Sequence, residues 1–529
     1  MPWPNWPRAA VRKWRTPLAD LARVLADVVP SAHYVGGIVR GSLMRKDSSD
    51  IDLALPPQDV KPAALALAKK LKAAAFEMDA EFGVWRLVTH KDKVQIDLTS
   101  YQGNDLKADL LRRDFAFNSL AYPVSARPEI QIKKQKEGCS KIRLTKLKKD
   151  LIVDLSGGLQ DVSNKIIRMN NPRVFKDDPL RMLRAFRSAA ELGFKIDEST
   201  LRQIKKDAAL ISQPAGERVQ EELLRLFSTS KAYENLMLMD KYGLLTALFP
   251  ELEAQRTCAE VYYGKGGVLK HTLDVFRRME YLLDNLPKAF SKYAKKLEIV
   301  AANKPLFKMA ALLHDVAKPA TAKVKGDRLR FFYHEEKGAK MAKVILERLH
   351  YSRADMRLIC AMIGEHLRPS NLASNDVITD RGAFHFFRDL GEAAVPMLLL
   401  CWADYASYVT DAQLKRIMPK SAEPMMTIAQ AQKTANIGKT LRHIQVLNLL
   451  FKKFFDQPKK VRPARIITGR DVMDVLSLPP SPKIGEILDA VADAQVDGSV
   501  TDRESALAFL KTLDVRGQHI APVKKTVRK

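Results

Sequence analysis

The sequence predicts an α+β domain at its N-terminal end followed by helical regions to the C-terminus, and three observations carry that prediction. Up to about residue 126, short β-rich runs (HYVGG, DIDLAL, VWRLVTH, VQIDLT) are mixed with helical stretches such as residues 62–75. From Asn164 onward apolar residues recur at i, i+3, i+4 and i+7, as in PLRMLRAFRSAAELGF. Near the end, Thr468 to Asp471 and Thr501 to Glu504 have the form of capping boxes that start short helices, separated by the Pro-rich LPPSP. These predict a small helical C-terminal domain, ending in a basic tail, PVKKTVRK, expected to stay disordered. Between the first two regions, Lys133 to Lys149 is lysine-rich and is expected to form a surface loop, with an RNA contact as the alternative.

A chain of 529 residues is too long for a single hydrophobic core, so several domains are expected. Lys and Arg exceed Asp and Glu to give a net charge of +27, a field that attracts a polyanion and makes nucleic acid the leading partner. The longest apolar run, around residues 393–403, contains Pro396 and is too short to cross a bilayer, so no membrane partner is expected. The start, MPWPNWPRAAVRKWR, has neither the apolar stretch of a secretory leader nor the serines of a transit peptide, and a cytoplasmic location is expected. Cys139, Cys258, Cys360 and Cys401 lie far apart with no CxxC pair, which argues against a disulfide framework and a cysteine zinc site.

The first candidate site lies in HYVGGIVRGSLMRKDSSDIDLAL. A strand is expected to run into Gly36 and Gly37, a helix to follow, and a second strand to carry Asp50 and Asp52. Paired glycines let backbone N–H groups approach phosphate oxygens, and the N-terminus of the next helix favours an anion. Residues two apart on a strand share a face, so Asp50 and Asp52 project together while Ile51 points into the core. Two convergent carboxylates suit a pair of Mg²⁺ ions shared with substrate phosphates. Asp97, on VQIDLTS, either brings a third carboxylate or is an ordinary strand-edge residue.

This segment resembles the nucleotide-binding and metal motif of class II tRNA nucleotidyltransferases and bacterial poly(A) polymerases, within the polymerase β-like superfamily. Further similar segments follow in order: DLLRRDFAFNSLAY at 109–122, VDLSGGLQDVSNKIIR at 153–168, DDPLRMLRAFRSAAELGF at 177–194 and ERVQEELLRLF at 217–227. The resemblance implies that Gly36, Gly37 and Arg40 hold a triphosphate and that Asp50 and Asp52 bind Mg²⁺ as catalytic carboxylates; Asp97 is the candidate third. The resemblance also implies that Arg113, Asp114 and Asn118 face the ribose and phosphates, and that Asp178 and Arg181 read the base; Arg184, one turn further along the same expected helix, is a further candidate for binding the nucleotide. A carboxylate accepts from the exocyclic amine of cytosine or adenine, and a guanidinium donates to the adjacent ring nitrogen, so C and A are admitted and U and G are not. Gly41 stands where the family usually has Asp, RRDFTINA has become RRDFAFNS, and Asp177 replaces the usual Glu. The connection from Asp97 to Asp109 is also shorter than in many relatives, where a flexible element helps the switch to the final A.

The second candidate site is the ordered set His271, His314-Asp315 and Asp404, with His334 and His366 between them, mostly on expected helices or helix ends in an apolar setting. Adjacent His314 and Asp315 offer nitrogen and oxygen ligands to one metal, a mixed set that suits a transition metal such as Ni, Co or Mn. The set resembles the HD phosphohydrolase domain, found behind the head and neck of some tRNA nucleotidyltransferases; the domain then either hydrolyses a phosphoester or binds metal without turnover. With the resemblance, the expected domains are a nucleotidyltransferase head at 1–150, a helical neck at 151–228, an HD domain at 229–425 and a helical C-terminal domain at 426–529. The expected function is addition of C and A to a tRNA 3′ end from CTP and ATP. The alternatives are a CC-only or A-only adding enzyme, a poly(A) polymerase, or an RNA-binding phosphohydrolase with an inactive head.

Overall fold

The computed structural model describes residues 20–79, 83–135, 138–514 and 521–522. The N-terminal MPWPNWPRAAVRKWR and the basic tail after Pro522 lie outside the described residues. The chain divides into two compact units, Met1–Gln213 and Pro214–Lys529.

The first unit is built on a seven-stranded mixed sheet. Its strands are β1 (His33–Val35), β2 (Asp50–Leu55), β3 (Ala73–Asp79), β4 (Val84–Thr89), β5 (Gln95–Ser100), β6 (Leu120–Pro123) and, beyond the hairpin of β7 (Glu129–Lys133) and β8 (Lys141–Thr145), β9 (Val153–Asp154). The order across the sheet is β3-β4-β5-β2-β1-β6-β9. The period of two in DIDLAL sends Ile51, Leu53 and Leu55 to one face, where they pack with Leu21 and Leu25 of helix Leu21–Val28 and with Ala64 and Leu67 of helix Val60–Leu71. On the other face Ala54 packs with Val35, Leu110 and Ala121. That face therefore also carries Asp50 and Asp52. Strand β5 pairs parallel with β2 and sets Asp97 beside Asp52.

Two elements differ from the sequence expectation. The helix expected over 62–75 starts at Val60 and ends at Leu71; Lys72 turns left-handed with φ +51°, and Ala73–Asp79 forms the edge strand β3. Pairing with β4 overrides the helical preference of three consecutive alanines. The lysine-rich stretch is not simply a loop, because Lys141–Thr145 forms β8 against β7. Ile142 and Leu144 point into the sheet core while Lys141, Arg143 and Thr145 face outward.

The second unit is helical apart from an antiparallel ribbon at Ala322–Phe331 and a short strand pair near the C-terminus. No described helix is long and apolar enough to cross a membrane. At its centre Lys308 is buried and donates to Glu280 Oε2 (2.6 Å) and the Thr229 carbonyl (2.6 Å), while Glu280 accepts from the backbone N–H of Ala232 (3.0 Å), near the start of the next helix. Burial pushes the Lys308 amine down, and Glu280 works against that fall. Lys308→Ala leaves a buried carboxylate without its counter-charge and is expected to cost about 3–5 kcal/mol, read as a drop in urea midpoint. Lys308→Met with Glu280→Gln removes both charges, keeps an acceptor for the Ala232 N–H and should recover most of that loss.

A separate small core holds Val472, Ile487, Val491, Ala506 and Leu510. Thr468 and Asp471 form the expected capping box. The second box falls one residue later than expected, on Asp502 and Ser505. The Asp502 carboxylate accepts from the Ser505 N–H at 2.8 Å and so takes the cap that Thr501 was expected to supply.

Candidate functional sites

In the first unit the two glycines stand where β1 gives way to helix Gly37–Leu43. Gly36 has φ +66°, and a Cβ there would lie 3.4 Å from an Arg113 guanidinium nitrogen and 3.5 Å from Asp52 Oδ2. The glycine turn, the arginine and the carboxylate thus meet at one point. Gly41 is buried in the same helix, where a Cβ would come within 3.1 Å of the Lys46 carbonyl. An Asp at this position would require the turn after the helix to move.

Oxygens of Asp50, Asp52 and Asp97 lie within 4.8 Å of one another. Burial and the neighbouring Asp50 and Asp97 push the Asp52 carboxyl up to about 7, with Arg113 and Arg40 opposing the rise. Three convergent carboxylates, one of them buried and all repelling one another, make an all-oxygen donor set suited to hard divalent cations. Asp97 is also gripped by Arg86 from β4, at 2.9 and 2.7 Å. The sequence analysis did not single out Arg86; its place opposite Asp97 follows only from the β4–β5 register.

Around the carboxylates runs a chain of polar contacts. Arg40 donates to Asn118 Oδ1, and Asn118 donates to Asp114 Oδ1 at 3.0 Å. Arg184 donates to Asp114 Oδ2 at 3.1 Å, which ties helix Leu180–Leu192 to this network. Burial works to raise the Asp114 carboxyl, but Arg184, Asn118 and Arg181 together hold it below the usual range. Arg113 is fixed by Asp109 at 2.8 and 3.0 Å. Arg181 donates to the Arg112 carbonyl at 3.0 Å, and Asp178 accepts from the Leu180 N–H at 3.2 Å, so both sit at the start of helix Leu180–Leu192.

The second unit gathers the histidine set. Ligand atoms of His271, His314 and Asp404 lie within 4.8 Å of one another, and so do those of Asp315, His334 and His366. Asp315, a member of the second triad, also faces the first. Its Oδ2 is 3.3 Å from His271 Nε2 and 3.1 Å from His314 Nε2, while Oδ1 is 3.5 Å from His334 Nε2 and 4.0 Å from His366 Nε2.

The far ring nitrogens decide what these histidines can do. Nδ1 of His314, His334 and His366 lies 2.9, 2.8 and 2.6 Å from the carbonyls of Ala311, Phe331 and Ile363. A carbonyl only accepts, so each Nδ1 carries a proton, and Nε2 is the nitrogen that each ring turns toward the cluster. Nε2 of His271, His314 and His334 and Oδ1 of Asp404 are buried without an aligned hydrogen bond. Burial also takes His366 down to about 4, which keeps its ring neutral. This donor set fits a transition metal in each triad, with Asp315 shared.

Lys318, which the sequence analysis missed, reaches the same point: its Nζ is 2.5 Å from Asp315 Oδ2 and donates to the Tyr263 hydroxyl at 2.9 Å. Its position one turn beyond the His-Asp pair, within HDVAK, was the available clue.

Comparison with known proteins agrees with this organisation. Residues 32–168 match the poly A polymerase head domain, residues 193–256 the probable RNA and SrmB-binding site of polymerase A, and residues 268–408 the HD domain. The A-adding tRNA nucleotidyltransferase of Deinococcus radiodurans is 29% identical over 91% of this chain and 95% of its own length. The CC-adding tRNA nucleotidyltransferase of Thermus thermophilus is 27% identical over 90% and 93%. A CCA-adding enzyme in its apo form shares the fold, with a TM-score of 0.58 over 94% of both chains at 16% identity. The chain thus carries, in order, a region similar to the poly A polymerase head domain, one similar to the RNA-binding region of polymerase A, and one similar to the HD domain.

Proposed function

We propose that the chain adds nucleotides, without a template, to the 3′ end of tRNA, using CTP and ATP. The observation that carries this reading is the meeting of the Gly36 turn, Arg113 and the carboxylates Asp50, Asp52 and Asp97 at one point on the sheet. The 3′ hydroxyl oxygen attacks the α-phosphorus in line, a P–O bond forms, the bond to the β-phosphate oxygen breaks, and pyrophosphate leaves. Mg²⁺ held by the three aspartates would supply charge to the attacking and leaving oxygens. Arg86 keeps Asp97 turned toward its neighbours, Arg113 and Arg40 face the phosphates, and the Asn118–Asp114–Arg184 chain fixes Arg40 relative to helix Leu180–Leu192. At the start of that helix Asp178 and Arg181 would read the base.

The expected product is the complete CCA end. A second reading, addition of only CC or only the final A, is favoured by the connection between β5 and helix Leu106–Arg112, which is only residues 101–105, and by the names of the Thermus and Deinococcus relatives. Purified protein is to be given tRNA transcripts ending before CCA, after C and after CC, with CTP, ATP or both. Growth by three residues supports full addition, growth that stops at CC or growth by one A of the CC-ended transcript alone supports the second reading, and no growth rejects both.

Replacing Arg181 by Ala should slow addition and raise incorporation of UTP or GTP relative to CTP and ATP by about tenfold, the scale of one lost charge-assisted hydrogen bond. Unaltered selectivity among the four triphosphates would place base reading elsewhere.

The HD set is assigned to metal-dependent hydrolysis of a phosphoester, with Mn, Co or Ni as candidate ions, in a cytoplasmic protein that handles tRNA. The four domains delimited from the sequence remain the proposed division of labour: head, neck, HD domain and C-terminal domain.

A further inference from the structure

We propose that the antiparallel ribbon beside the HD cluster is an arm that binds single-stranded RNA and delivers its 3′ end to that cluster; the delivery half rests on the hydrolase reading given above. The ribbon consists of β10 (Ala322–Lys325) and β11 (Arg328–Phe331), joined through Gly326, whose φ is +62°, and Asp327. In its register Lys323 lies opposite Arg330 and Lys325 opposite Arg328. Alternation along each strand then sets all four cations on one face, with Ala322, Val324, Leu329 and Phe331 on the other.

Like charges directly opposite each other destabilise a two-stranded ribbon. None of the four makes an ion pair among the described residues: Asp327, in the turn between Lys325 and Arg328, is not paired with either, and Lys325 meets only the Phe332 ring, 5.8 Å from its centroid. Other cations of this unit are paired: Arg277 and Arg278 share Asp411 at 2.9 and 2.6 Å, and Arg256 holds Asp240 at 2.7 Å. A stripe of uncompensated cations on an exposed ribbon fits a polyanion.

The root of the ribbon is joined to the cluster. The Phe331 carbonyl is the acceptor that fixes His334 Nδ1 at 2.8 Å. Across the ribbon the Tyr262 hydroxyl accepts from the Leu329 N–H at 2.9 Å and donates to the Leu329 carbonyl at 3.1 Å. Three aromatic rings stand exposed there, with Tyr262 at 50%, Phe332 at 46% and Tyr333 at 69% of full exposure. Tyr333 holds φ +57°, a conformation a bulky residue rarely adopts, immediately before the ligand His334. A cationic track flanked by open aromatic faces is the chemistry that grips a single strand, with phosphates on the lysines and arginines and bases stacked on the rings. The basic stripe runs two residues from Arg330 to Arg328, about 7 Å at ~3.3 Å per residue. That outreaches a single phosphate group, so the recognised species is a strand and not a mononucleotide.

The test compares the full-length protein with a ribbon variant, Lys323→Gln, Lys325→Gln, Arg328→Gln and Arg330→Gln. A control variant loses the same charge from exposed positions on and next to helix Val60–Leu71, by Lys61→Gln, Lys69→Gln, Lys70→Gln and Lys72→Gln. Fluorescence anisotropy measures binding of a labelled single-stranded RNA decamer over a salt series. Hydrolysis is followed on an oligonucleotide ending in a 2′,3′-cyclic phosphate and on 2′,3′-cyclic AMP. The ribbon variant is expected to bind the decamer at least about tenfold more weakly, with a salt slope smaller by about 2.8, four charges at ~0.7 each. Its kcat/KM should fall on the oligonucleotide through KM and stay unchanged on 2′,3′-cyclic AMP. Equal weakening in the control, undiminished binding by the ribbon variant, or a proportional loss on both substrates overturns the proposal. If the unaltered protein hydrolyses neither substrate, the hydrolase reading falls and with it the delivery role. The binding comparison then still decides whether the ribbon is an RNA-binding arm.

Discussion

Asp52→Asn is expected to lower nucleotide addition by about a thousand-fold or more, since a metal ligand contributes several kcal/mol to the transition state and each 1.36 kcal/mol is tenfold in rate. Binding of tRNA should stay within about twofold, because affinity for RNA comes from many phosphate contacts and not from one carboxylate. Stability separates this role from a structural one. In the fold the Asp52 carboxyl is pushed up to about 7 by burial and by Asp50 and Asp97, whereas an unfolded Asp titrates near ~3.9. Between those values the folded state holds a proton that the unfolded state has lost, so the metal-free protein loses stability as pH rises through that window. The Asn variant carries no such penalty and should show a metal-free Tm at pH 8 no lower than that of the unaltered chain. Near-normal addition by the variant, or a large fall in its Tm, would remove Asp52 from the metal-binding role.

The sheet that carries this site was legible because its informative strand is strictly periodic. Asp50, Ile51, Asp52 and Leu53 alternate cleanly, and the glycine pair stands one helix upstream, so the shared face of the two carboxylates follows from the residues alone. What the sequence concealed depends on partners distant along the chain. Arg86 has no motif of its own and matters only because β4 and β5 pair in the register that sets it opposite Asp97. Strand β8 escaped notice because its flanking lysines dominate the composition, although Ile142 and Leu144 alternate with polar residues. The alanines at 73–75 read as helix because local preference is all a single sequence displays, and the neighbouring strand decides otherwise. In the second unit the histidines were identifiable by order and type. Their sharing of Asp315, the protonation of Nδ1 and the arrival of Lys318 became visible only with backbone carbonyls and side chains in place.

Changing His314 and Asp315 together to Ala is expected to abolish metal-dependent hydrolysis while leaving nucleotide addition unchanged. Both triads lose ligands at once in this variant, because Asp315 faces His271 and His314 through one oxygen and His334 and His366 through the other. The bound transition metal should therefore fall to near zero per chain by elemental analysis. The head carboxylates, an all-oxygen set in the other unit, share no ligand with this cluster and should retain their response to Mg²⁺. Folding is the competing explanation, since loss of Asp315 strands Lys318, a buried ammonium whose carboxylate partner lies 2.5 Å away, and an unpaired buried charge costs about 3–5 kcal/mol. His366→Ala resolves this, because it removes a neutral ring that ion-pairs with nothing. It should keep the circular dichroism spectrum and the Tm, lose the metal of the second triad and slow hydrolysis by about a hundredfold, the upper end of what an altered metal environment costs. The assays are to be run with Mg²⁺ alone and with added Mn²⁺, Co²⁺ or Ni²⁺. Hydrolysis that persists in the folded double variant would show that the HD cluster is not the hydrolase, and loss of nucleotide addition in a folded variant would show that the two sites are coupled.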